Sequence, residues 1–191
     1  LKAENGEFFA MTQPANRTSY VADLQNRNAY CEIASLREWP PWEAAAPFRP
    51  LMGAWLAQHG FCLIHAACVG WNGRALLLAG PGGSGKSTTA YTCAAHGWTY
   101  YADDLALLRM TGSVPEIFAL YNTAKMNPDS TALFPGLTVL RPERAASDEK
   151  VLLHLSKMQP AALGSGSVRP CAILFPTAAE SAGRSEPRLL L

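Results

Sequence analysis

Gly80-Pro81-Gly82-Gly83-Ser84-Gly85-Lys86-Ser87 is the stretch on which the reading of this chain turns. Four glycines fall among the six residues before Lys86, between the apolar run Ala75–Ala79 and a helix-compatible run, Ser87–His96. Successive backbone N–H groups can wrap a polyphosphate only where the chain turns tightly, with φ positive in places and no Cβ in the way. The pattern G-x-x-x-x-G-K-[ST] is met without departure, and it stands between a strand and a helix as that pattern requires, so the stretch reads as a P-loop. The helix after it would aim its unpaired N–H groups and the positive end of its dipole at the same phosphates. Lys86 would reach the β- and γ-phosphates, and the Ser87 hydroxyl would ligate Mg²⁺. The expected ligands are therefore ATP and Mg²⁺, with Gly80, Pro81, Gly82, Gly83, Ser84, Gly85, Lys86, Ser87 and Thr88 lining the phosphates.

Working outward, Asn72-Gly73 is a turn signal between the apolar run Phe61–Val69 and Arg74–Ala79, which makes the P-loop strand the second arm of a hairpin. His65 lies in the first arm, fifteen residues before Gly80, and the hairpin would bring it back beside the loop. A histidine in an apolar strand is more often a satisfied core residue; the spacing is what gives this one weight. Downstream, Gly97 closes the helix, Trp98–Ala102 reads as a strand, and Asp103-Asp104 follow it, 17 and 18 residues beyond Lys86. A nucleotide site needs a carboxylate facing the loop, on the metal or on the attacking hydroxyl, and strand ends beside the loop supply one. Two adjacent carboxylates on an extended strand face opposite ways, so one can hold metal while the other meets substrate. The bland alternative is a solvated Asp-Asp turn, against which stand the apolar residues on both sides of the pair.

Taken together, His65, the Gly80–Ser87 loop, His96-Gly97 and Ala102-Asp103-Asp104 resemble the HPr kinase/phosphorylase pattern, H-x14-G-x-SG-x-GKS followed by RGH and VADD. The resemblance covers about Phe61–Leu108, a quarter of the chain. It implies an α/β fold: a P-loop nucleotide-binding core of the HPr kinase and phosphoenolpyruvate carboxykinase type with a mixed central sheet, here with a small N-terminal β element. It also implies ATP-dependent phosphorylation of a serine in a protein. Carried over by position, Lys86 and Ser87 keep their roles, Asp103 paired with His65 is the base that accepts the serine proton, and Asp104 is a metal-side carboxylate. The E-x-RG-x-G signature of that family has no counterpart near Asn122–Met126. The chain is more similar to HPr-kinase-like enzymes of peptide natural-product pathways, including those that phosphorylate lasso-peptide precursors; Phe48-Arg49-Pro50-Leu51 and Asn122-Thr123-Ala124-Lys125 carry this likeness. The function expected is a Mg·ATP-dependent serine kinase acting on a peptide or small protein. An HPr-type regulatory kinase, a small-molecule kinase and a non-catalytic nucleotide switch are the alternatives.

Composition bounds the partners. The 191 residues suit one domain or a domain with a small appendage, long enough to bury about 70% of the unfolded surface. Charged residues make up only 16%, and a net charge of +1 predicts no general attraction to nucleic acid or to an anionic membrane. Five cysteines without C-x-x-C spacing read as buried free thiols of a reducing compartment. No 18-residue apolar run and no signal pattern are present, so a soluble cytoplasmic protein is expected, with homo-oligomerisation left open. The chain starts at Leu1 rather than Met and stops within Arg188–Leu191, in what reads as mid-strand, so the natural chain is expected to run further.

The remaining segments complete the expectation. Residues 1–15 show no period, while Tyr20–Leu24 and Ala29–Ile33 flank a turn and read as a hairpin. Phe48, Leu51, Met52, Trp55 and Leu56 form a helical stripe that stops at Gly60. Residues 1–46 are thus an N-terminal hairpin appendage and linker, and 47–191 the P-loop kinase domain. Lys125, Pro128–Phe134 and Pro142–Ala146 read as a lid-like region with short helices; Lys150–Leu155, Cys171–Phe175 and Arg188–Leu191 read as strands. Gly164-Ser165-Gly166-Ser167 is a flexible loop rather than a second phosphate site, since no lysine or helix follows it. No arginine is assignable to the transition state, although Arg109, Arg141, Arg144, Arg169 and Arg184 are available.

Overall fold

The computed structural model describes residues 2–4, 7–131, 134, 150–155 and 162–176. Strands β1 (Lys2–Glu4), β2 (Phe8–Gln13), β3 (Thr18–Asp23) and β4 (Asn28–Ile33) pair antiparallel in that order into a small sheet. On β3, Thr18, Tyr20 and Ala22 are buried while the residues between them face outward, the period-two pattern of a half-buried strand. The expected hairpin is β3–β4. The expectation of an aperiodic residue 1–15 stretch is corrected: β2 aligns Phe9 with Ala22 and Met11 with Tyr20, so two inward side chains suffice to hold it. Two alternating positions are too few to stand out as a period in the sequence.

Helix α1 (Pro41–Ala45) leads to α2 (Arg49–Ala57), the helix that the apolar stripe predicts. Leu51 and Ala54 of α2 share a core with Phe9, Tyr20 and Ala22 of the small sheet, while Gly53 faces Leu63 of the next strand. One helix therefore covers both sheets.

Among the described residues the larger sheet has seven strands: β5 (Phe61–Ile64), β6 (Ala66–Trp71), β7 (Arg74–Ala79), β8 (Thr99–Ala102), β9 (Ala106–Thr111), β10 (Val114–Phe118) and, after the intervening elements, β13 (Ser167–Leu174). Their order is β5-β9-β10-β13-β7-β6-β8. Among the described strands only the β13–β7 pair is parallel, so the sheet is mixed. Asn72 and Gly73 both take positive φ, 49° and 75°, the backbone of a tight two-residue turn, and the predicted β6–β7 hairpin is present with Trp71 opposite Arg74. Helix α3 (Lys86–Ala95) lies on one face, burying Ala90, Tyr91 and Ala94 against Val69, Leu78 and Tyr100. The same core takes in a ribbon of β11 (Thr123–Met126) and β12 (Val151–His154), with the short α4 (Pro128–Thr131) between them in sequence.

Phe61–Val69 is not one strand. It breaks at His65: β5 pairs with β9 at one end of the strand order, and β6 lies between β7 and β8 at the other. A single residue crosses between the ends, and only Asp103–Leu105 crosses back from β8 to β9, so the sheet must curl until its ends meet. The lid reading of Lys125 is also corrected, because this residue lies in β11 opposite Leu152. Pro142–Ala146 and Arg188–Leu191 lie outside the described residues, whereas β12 and β13 match the other two predicted strands. All five cysteines are free, but only Cys68 is buried; Cys62 and Cys171 sit at outward-facing strand positions and are exposed. No described helix is long and apolar enough to cross a membrane.

Candidate active site

The two crossings of the curled sheet bring the chemistry together. Ala79, the last residue of β7, stands opposite Ala66, so the next residue of each strand direction, Gly80 and His65, emerge at the same end. Ala102, the last residue of β8, stands opposite Cys68 near the start of β6, which delivers Asp103 and Asp104 to that end as well. The result is a cleft of about 360 Å³, walled on one side by residues 82–89 and on the other by His65, Asp104, Lys125 and Lys150.

The loop has the backbone that its glycines allow. Gly80, Gly83 and Gly85 have φ of 144°, 82° and 98°, a region in which side chains with a Cβ are strained. At Gly80 a Cβ would also stand 3.0 Å from Ser84 Oγ, itself buried and without a hydrogen-bond partner among the described residues. Gly85 precedes α3 without a side-chain cap, and no acidic residue occupies the first turn. The first N–H groups of the helix and its positive dipole end therefore meet no acidic side chain from the helix's own first turn. Lys86 is only 6% exposed and folds over the loop, its Nζ donating to Gly80 O at 2.8 Å and Pro81 O at 2.9 Å.

The two aspartates occupy contrasting environments. Asp103 is 5% exposed; its Oδ2 accepts the Lys125 backbone N–H at 2.9 Å, while Oδ1 is buried with no hydrogen-bond partner among the described residues. Burial raises its pKa above the ordinary carboxylate range, aided by the Asp104 charge, against the pull of the Lys125 N–H, the nearby Ser87 hydroxyl and Lys150. Asp104 has φ of 67° and leaves the strand. Its Oδ1 lies 3.0 Å from His65 Nε2 and its Oδ2 2.9 Å from Lys125 Nζ. Burial is the largest single influence on Asp104 and pushes upward, but the Lys125 hydrogen bond and the charges of Lys125, His65 and Lys150 together outweigh it and hold the carboxyl below its usual range. Beneath the pair, burial and the charges of both aspartates push the Tyr100 phenol well above its ordinary pKa, so it is neutral.

This geometry corrects one pairing. The resemblance joins His65 to Asp103, but His65 meets Asp104. The reason is local: extended alternation stops at Asp103, and the left-handed turn at Asp104 swings its carboxylate toward the β5–β6 crossing. The sequence suggested for Lys125 a place in a lid and no contact with the aspartates, though its position between two apolar residues that prove buried, Ala124 and Met126, was the available signal. No arginine is among the described residues that line the cleft. Arg109 instead stacks over Phe61 and Phe118 and pairs with Glu116, Arg169 pairs across β13–β7 with Arg74, and Arg141, Arg144 and Arg184 lie outside the described residues. Among the described residues no three His, Cys, Asp or Glu side chains gather around a common metal position. The oxygens at hand are the Ser87 hydroxyl and the carboxylates, hard donors of the kind Mg²⁺ takes together with water.

The sequence profile of a family described as SynChlorMet cassette protein ScmC matches residues 51–119, from α2 through β10. No curated protein matches the chain. Among solved structures, that of the Hpr(Ser) kinase/phosphatase from Coxiella burnetii is similar over 60% of this chain and 66% of that one, at 12% identity and a TM-score of 0.37. The chain spans just under two thirds of the length of that protein.

Proposed function

We propose that the cleft binds Mg·ATP and that the protein is a kinase that transfers the γ-phosphoryl group to a serine hydroxyl of a peptide or small protein. One observation carries the reading: an uncapped helix start, Lys86 and Asp104 line a single cleft, and Asp103, buried next to Asp104 and near the Ser87 hydroxyl, is pushed apart from it in acidity. Pairs of titratable groups whose environments separate them in this way mark divided acid–base roles. When bound, Mg²⁺ neutralises charge on the transferring phosphates.

The residues then divide the work. The loop N–H groups and the α3 terminus hold the phosphates, and Lys86 exchanges its loop carbonyls for phosphate oxygens. Ser87 and Asp103 are the metal side, for which the orphaned buried Oδ1 of Asp103 near the Ser87 hydroxyl is the fitting observation. Asp104 stays ionised and is oriented by His65. It accepts the proton of the serine hydroxyl as that oxygen bonds to the γ-phosphorus, while the bond from phosphorus to the bridging oxygen breaks and ADP keeps the electron pair. The acceptor follows from the motif likeness, which favours a ribosomal natural-product precursor of lasso type, modified in a reducing cytoplasm.

The test is incubation with Mg·ATP and peptides encoded beside this gene, read by intact mass. A product heavier by one phosphoryl group on serine, absent with Lys86→Ala, is the expected result. ATP turnover with no phosphorylated product would favour a nucleotide switch, and absence of both nucleotide binding and turnover would end the reading.

A further inference from the structure

We infer that Lys125 is a catalytic residue, its ammonium group touching the γ-phosphoryl group during transfer and supplying the charge that no arginine of the described cleft provides. This rests on the nucleotide reading above. Phosphoryl transfer spreads negative charge over the equatorial oxygens of the moving group, and a cation placed there is worth up to about 10³–10⁵ in kcat. Three lysines line the cleft among the described residues, Lys86, Lys125 and Lys150, beside His65, which is engaged with Asp104. Lys86 belongs to the loop, and Lys150 is exposed at the start of β12. Lys125 stands across from the loop with its side chain only 15% exposed, where a charge acts with less screening.

Its placement is rigid, as catalysis requires. Lys125 sits on a strand, in register with Leu152, and its neighbours Ala124 and Met126 are each 1% exposed in the core beneath α3. Its backbone N–H holds Asp103 Oδ2 and its Nζ holds Asp104 Oδ2, both at 2.9 Å, so one residue spans the metal-side and base-side carboxylates. An ammonium has three donor hydrogens. The bond to Asp104 occupies one, which leaves donors for phosphate oxygens without breaking the pair that positions the base. A purely structural lysine would neutralise Asp104 and do no more.

The two roles differ in what they do to nucleotide choice. A contact to the γ-phosphate favours ATP over ADP, whereas neutralising Asp104 does not depend on the third phosphate. Calorimetric titration of Mg·ATP and Mg·ADP into wild type, Lys125→Met and Lys125→Arg decides it, alongside the transfer rate. In Lys125→Met, affinity for Mg·ADP should stay within about threefold, the ATP preference should fall by at least about tenfold, and kcat should drop by about 10²-fold or more. Lys125→Arg should keep the preference. Retention of the wild-type ATP-to-ADP ratio in Lys125→Met overturns the inference while leaving the nucleotide reading intact. If Lys125→Met binds neither nucleotide, Lys125→Arg decides: a wild-type ratio supports the assignment and a lost ratio overturns it. A wild type that binds neither nucleotide overturns the function proposed above, and this inference with it.

Discussion

Asp103 and Asp104 are adjacent in sequence and opposite in circumstance, and substitution should separate them. On the proposed mechanism Asp104→Asn removes the proton acceptor and should lower kcat by about 10²–10⁴-fold while Mg·ATP affinity stays within a few-fold. His65→Ala should be a milder copy, and the double variant far less than multiplicative because the two act as a unit. If Asp104→Asn instead weakens nucleotide binding and keeps its turnover, the base lies elsewhere. Asp103 should answer to pH in the metal-free protein. Burial raises its folded-state pKa, so the folded protein binds this proton more tightly than the unfolded chain does. The resulting stability penalty is absent below the ordinary carboxylate pKa and complete above the raised folded value. Asp103→Asn, which can keep the bond from the Lys125 N–H, should therefore raise Tm near about pH 7.5 and not near about pH 3. An equal shift at both pH values would show that burial of charge is not what the substitution relieves.

At the scale of elements, two glycines with positive φ part company in function. Gly73, in the β6–β7 turn, has φ of 75° and no heavy atom within 4 Å of where a Cβ would stand, so Gly73→Ala meets strain alone. A left-handed conformation costs an ordinary residue about 1–2 kcal/mol, a fall in Tm of a few degrees in a chain of this size, with activity retained because the turn is at the far end of β7 from the loop. Gly85→Ala meets similar strain at φ of 98°, likewise with no heavy atom within 4 Å of its Cβ, but Gly85 belongs to the loop that lines the cleft. It should lose at least about tenfold in Mg·ATP affinity beyond any shared loss of stability. Equal nucleotide affinity in the two variants would contradict that difference. The turn was legible because Asn-Gly has few uses other than a tight hairpin. The break at His65 was not, since Phe61–Val69 holds no turn residue before Gly70 and the change of strand partner is a tertiary event.

For the whole molecule, local patterns identified many of the strands and the hairpins β3–β4 and β6–β7, but not β1, β2, β11 or the pairings between distant strands. The parallel β13–β7 pair and the curl that joins β5 to β6 depend on packing far apart in sequence, and the His65–Asp104 contact depends on that curl. Motif spacing thus named residues that the fold gathers at one end of the sheet, while the fold decided which aspartate the histidine meets. The small sheet is tied in through α2, whose Leu51 fills the core it shares with Phe9 and Tyr20. Leu51→Ala should cost about 2–5 kcal/mol, and a chain beginning at Pro47 should melt at a lower temperature with that face uncovered. An unchanged melt for the shortened chain would make the small sheet an independent appendage. The most direct test of the central claim is calorimetric titration of Mg·ATP into wild type and Lys86→Ala. The account requires saturable binding to the wild type, with Kd between about 1 μM and 1 mM, and at least about tenfold weaker binding to Lys86→Ala. No binding to the wild type, or equal binding to both, would contradict it.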